Sequence, residues 1–67
     1  MLEYLRLLAL YYKEADEAEK GEITLFTLGR LSGLCHAIMF NEHSTVDERE
    51  QALLRFSRLK NMYKYLH

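Results

Sequence analysis

The chain reads as an all-α protein, a small three-helix bundle of up-down-up topology that self-association completes. Three observations predict this. Apolar residues recur at helical spacing over three stretches, and only one short segment has strand character. Start and stop signals fall between those stretches, and no proline interrupts any of them. The connections left over are about 3–5 residues long, as antiparallel helical neighbours need. With 67 residues there is room for one domain, 1–67. A chain of that size buries only about 60% of its unfolded surface, so a second copy would supply stability that its own core lacks.

The first helix is predicted over about residues 2–20, with Gly21 as a left-handed residue closing it. At about 100° per residue its apolar face collects Tyr4, Leu5, Leu7, Leu8, Tyr11, Tyr12, Ala15 and Ala18. Leu10 falls on the far side, with Glu3, Arg6 and Glu17.

The second helix is predicted over about residues 25–40, with Thr24 as its N-cap. Ile23, Leu25 and the threonines also suit a strand, but a lone strand would have no partner, so a helix is expected. One face carries Leu28, Leu31, Leu34, Cys35, Ile38 and Met39. Roughly opposite runs a second stripe, Gly29, Gly33 and Ala37, flanked by Phe26 and Phe40. A helix in a three-helix bundle meets both neighbours on one wide face, so this stripe is surplus. Small residues on successive turns let another backbone approach closely. The stripe is therefore expected to be a dimer contact, with packing inside the monomer as the alternative. A break at Gly33 would be a third reading.

The third helix, about residues 45–66, has the strongest start signal. Thr45 with Glu48 and Ser44 with Asp47 both have capping-box spacing, and Asp47, Glu48 and Glu50 suit the positive end of a helix dipole. Its core face is Ala52, Leu53, Phe56, Leu59, Tyr63 and Leu66. Leu54 and Tyr65 lie off that face beside Arg58; with Leu10 they form a candidate surface for a partner protein.

Catalytic and metal chemistry find little support. Cys35 and His36 are adjacent, but neighbouring helical side chains diverge by about 100° and do not face each other as a nucleophile and base must. Cys35 is expected to be a small core residue, and His36 a partly buried histidine bonded to a neighbour. His36, His43 and His67 lack metal-ligand spacing, and no carboxylate sits in an apolar run that would raise its pKa. No catalytic residue, metal or cofactor is expected, and the chain is not expected to be an enzyme.

Nucleic acid is an alternative partner. Residues 51–67 carry Arg55, Arg58, Lys60 and Lys64 and no acid. A helix-turn-helix reader, however, offers its N-terminal turns to the bases, and here those turns are acidic and would repel phosphate. Up-down-up topology instead sets the first and third helices parallel. Glu14, Asp16, Glu17 and Glu19 then lie level with the basic half of the third helix and form ion pairs with it.

The net charge of −1 gives no general attraction to nucleic acid or to an anionic membrane. The apolar run at residues 7–12 is too short for a membrane span, and the acidic flank after it does not fit a signal peptide. A lone cysteine makes no internal disulfide, so a reducing, cytoplasmic setting is expected. Together these features point to a homodimeric interaction protein that regulates or inhibits another protein. A nucleic-acid-binding regulator and a structural subunit of a larger assembly are the alternatives.

Overall fold

The computed structural model describes residues 1–66; the side chain of Leu66, assigned above to the core face, and His67 lie outside the described residues. The described residues form three helices, α1 (Leu2–Lys20), α2 (Leu25–Met39) and α3 (Val46–Leu66), each in contact with the other two. The predicted all-α three-helix bundle is the observed one. Among the described residues there is no strand, and the segment with strand character enters α2 without interruption. Gly33 does not break it.

The caps show why the helices begin where they do. The Thr24 hydroxyl accepts the Thr27 amide at 3.1 Å, replacing one of the partners that a helix start lacks. At α3 the capping box is reciprocal. The Glu48 amide donates to Thr45 Oγ1 at 3.1 Å, and the Thr45 amide donates to Glu48 Oε1 at 2.9 Å. Between α2 and α3, Asn41 ties the turn by accepting the His43 amide on its side chain, 2.8 Å, and the Ser44 hydroxyl on its backbone carbonyl, 2.8 Å.

Gly21 differs from expectation. It closes α1 at φ −110°, outside the left-handed region, while its amide still reaches the Glu17 carbonyl at 3.0 Å. From there the chain leaves in a path that drops Ile23, 1% exposed, into the core.

That core contains Tyr4, Tyr11, Ala15 and Ala18 of α1, Leu28, Leu31, Cys35 and Ile38 of α2, and Ala52 and Leu59 of α3, with Ile23 from the connection. The three predicted faces are therefore the buried ones, with two corrections. Leu5 and Leu53 are about half exposed. Each follows a fully buried residue, Tyr4 or Ala52, and is turned about 100° from it, beyond the arc that two neighbouring helices cover. The wheel placed them on the face; the bundle does not reach them.

α1 and α3 run parallel, as the order of their links shows. The Tyr4 hydroxyl donates to Glu48, the buried Tyr11 hydroxyl donates to the Ala52 carbonyl at 2.7 Å, and Arg55 and Arg58 meet Asp16 and Glu19 further along.

Candidate interaction surfaces

The stripe predicted on α2 is a single exposed face. Phe26 and Phe40 are 79% and 77% exposed, and Gly29, Gly33 and Ala37 between them are exposed as well. A Cβ added at Gly29 or Gly33 would meet nothing within 4 Å. The alternative in which α1 or α3 fills the stripe inside the monomer is therefore overturned. Each glycine costs its helix about 1 kcal/mol relative to alanine, and no close approach among the described residues accounts for either.

His36 sits at the edge of this stripe. It is exposed, contrary to the partly buried position expected, and its ring lies 4.5 Å from that of Phe40, centroid to centroid. Cys35 points the other way, into the core, where its thiol faces the Tyr11 hydroxyl. Burial pushes the Cys35 thiol up, away from the thiolate that nucleophilic chemistry requires. The adjacent pair is thus split between core and solvent. Among the described residues no group of three His, Cys, Asp or Glu side chains gathers where a metal ion could bind.

The second predicted surface is brought together only in part. Leu54 and Arg58, one turn apart on α3, line a recess of about 460 Å³ with Tyr12, Gln51 and Arg55. Tyr65, 93% exposed, and Leu10, 40% exposed, do not line it. At Tyr12 and Gln51 the recess continues into a groove of about 430 Å³ between α1 and α3, with Leu8 and Ala9 on one side and Asp47 and Glu48 on the other. A smaller recess of about 230 Å³ between α2 and α3 shares His36 and Phe40 with the stripe.

The cations of α3 divide. Arg55 donates from Nη2 to Asp16 Oδ1 at 2.5 Å and from Nε to Glu19 Oε1 at 2.7 Å, and Arg58 pairs with the same Glu19 oxygen. The Arg58 guanidinium, with Arg55 beside it, holds the Glu19 carboxyl below the usual range, and Asp16 and Glu19 raise Arg55. Lys60 and Lys64 lie exposed further along α3. On α2, Arg30 Nε pairs with Glu14 at 2.5 Å. The predicted pairing of the acidic part of α1 with the basic part of α3 is made by Asp16 and Glu19; Glu14, expected to join it, pairs with α2 instead, and Glu17 is not among the α3 pairs.

Sequence reasoning missed the polar link at the other end of the same seam. The Tyr4 hydroxyl donates to Glu48 Oε1 at 2.9 Å, so one carboxylate caps α3 and fastens α1 to it. The Thr45 amide and Tyr4 hydroxyl keep the Glu48 carboxyl below its ordinary range. Burial, with the Glu48 contact second, pushes Tyr4 up to about 12. The capping spacing identified Glu48; nothing local marks Tyr4, whose partner is 44 residues away.

The chain matches no protein-family profile, no curated protein and no solved structure. Among the described residues, no helix is long and apolar enough to cross a membrane.

Proposed function

We infer that this protein is an interaction module that self-associates as a homodimer and acts by binding and modulating a second protein, as a regulator or inhibitor without chemistry of its own. The observation that carries the reading is the outer face of α2. Two phenylalanines more than three-quarters exposed flank a backbone stripped of side-chain bulk, and none of the described residues covers them. An apolar surface of this kind on so small a protein marks a contact site. The second protein would dock on Leu54 and Arg58 with the groove beside them, and Leu10 and Tyr65 would lie at its margins. A reducing cytoplasmic setting belongs to the same reading, because the single cysteine is a core residue and forms no crosslink.

The nucleic-acid reading draws less support than before, since Asp16 and Glu19 already neutralise both arginines it relies on. Light scattering over a concentration series, paired with a DNA titration at rising salt, tests the choice. The interaction module predicts growth to a dimer and no further, with no DNA affinity. Unlimited growth would favour an assembly subunit through a heterologous contact. Binding that weakens steeply with salt would favour the nucleic-acid reader.

A further inference from the structure

The stripe on α2 has an internal symmetry that bears on what covers it. Gly33 is its centre. Four residues to either side stand Gly29 and Ala37, and three residues beyond those stand Phe26 and Phe40. The small residues and the aromatic ends are thus repeated in mirror order about one position. At about 100° per residue Phe26 falls about 20° from the Gly33 direction and Gly29 and Ala37 about 40° to either side, and Phe40, the C-cap just past the last helical residue, continues the row on the other side. A parallel pair of helices matches any sequence with itself and needs no such order. An antiparallel pair crossing at Gly33 sets each residue against one equally far beyond the centre, so this order places small residue against small residue and ring against ring.

We propose that the outer face of α2 binds a second copy of this chain in an antiparallel, two-fold contact centred on Gly33, with Phe26 of each copy beside Phe40 of the other. The proposal rests on the self-association inferred above and specifies its geometry. In this contact Gly33 lies against its counterpart on the two-fold axis and Gly29 opposes Ala37, so both backbones approach closely at the middle. A ring pair closes each end. The exposed glycines, which the monomer leaves unexplained, become the residues that let the helices meet.

Area and charge agree with this occupant. A phenylalanine ring buries about 150–250 Å² when fully covered, and these two are more than three-quarters exposed. With the exposed Ala37, His36 and Leu25 around them, the contact covers about 500 Å² per copy, about 1,000 Å² in all, which is where specific interfaces begin. The only formal charge on α2 is Arg30, already paired with Glu14, so the face sets no unpaired like charge against its copy. Antiparallel helices also place each positive dipole end beside a negative one.

Disulfide trapping distinguishes the outcomes. Phe26→Cys, Phe40→Cys and Gly33→Cys are made separately in a Cys35→Ala background and oxidised with copper–phenanthroline. The antiparallel contact predicts that Gly33→Cys links to itself and that a mixture of Phe26→Cys and Phe40→Cys yields covalent dimer. That product is lost when either phenylalanine variant is oxidised alone. The mixed dimer keeps one Phe26–Phe40 pair intact at its far end, so it remains assembled. Should Cys35→Ala weaken the core, the same variants are oxidised with Cys35 retained, since that thiol is only 4% exposed. If each phenylalanine variant links to itself and the mixture gives no cross-product, the pair is parallel: the proposed orientation is wrong while self-association stands. If the unmodified chain sediments as a monomer at every concentration, self-association fails and this geometry with it.

Discussion

The seam between α1 and α3 and the outer face of α2 treat their side chains in opposite ways. Along the seam, polar groups find partners within the chain. Tyr4 reaches Glu48, Tyr11 reaches a backbone carbonyl, and two arginines share Asp16 and Glu19. On the α2 face, the two phenylalanines stay more than three-quarters exposed, Phe40 with only the His36 ring beside it, and the glycines between them stand in open space. Exposed charge is soluble whether paired or not, whereas uncovered apolar surface is a standing cost. The capacity of this molecule for recognition therefore lies in its apolar face, and its charges serve mainly to hold α1 and α3 in register.

The sharpest way to test the contrast is to cut into α2 from its two sides. Leu31, fully buried on the inner side, should cost about 2–5 kcal/mol as Leu31→Ala, enough to unfold much of a domain this small. Chemical denaturation reads this directly, and a loss below about 1 kcal/mol would mean the inner face is not the core. On the outer side the sign reverses. The double variant Gly29→Ala with Gly33→Ala should stabilise the monomer by about 1 kcal/mol per site, because an added methyl meets nothing. The same variant should weaken association, since two methyls then stand between the approaching helices. Thermal unfolding at low concentration and sedimentation at high concentration should move in opposite directions; a joint rise would argue that no second helix packs on the glycines.

The seam should give smaller effects. Arg55→Met removes two ion pairs whose carboxylates are partly solvated, and each such pair is worth about 0–1 kcal/mol. The loss should shrink as salt rises, and a salt-independent loss would point to packing instead. Acid should act in the same direction. Glu19 and Glu48 are both held below the ordinary range, so their contribution is complete above about pH 4.3 and fades as pH falls below it. Tyr4 works from the other end: its contribution is present below its ordinary value of about 10 and is lost as pH rises toward about 12. Denaturant midpoints across pH should therefore drop at both extremes, and Tyr4→Phe should make the alkaline limb shallower, while Tyr11 and Tyr12, also raised by burial, keep the rest of it.

Much of this was legible in the amino-acid order, and the exceptions have a common cause. Helical spacing located α1, α2 and α3, Thr45 with Glu48 marked the start of α3, and the up-down-up topology set which ends of α1 and α3 lie together and so which charge blocks meet. Each of these signals is local or repeats along a helix. Ile23 could not be placed in the core from a four-residue connection, because its burial depends on the path the chain takes after Gly21. Leu5 and Leu53 looked buried because a helical wheel gives a direction and not the reach of the neighbour. The stripe on α2 was visible as surplus, but only the packed bundle shows that neither α1 nor α3 uses it.

The central claim is that this face binds another copy of the chain, and Gly33→Leu tests it most directly. The substitution points a large side chain into open space and removes a helix glycine, so the monomer should keep its fold and melt no lower than the unmodified chain at low concentration. Sedimentation equilibrium of the unmodified chain beside Gly33→Leu, from micromolar concentrations upward, should show the first approaching twice the chain mass of 8.0 kDa and the second remaining at it. A dimer of equal strength in both, or a monomer in both, would contradict the account.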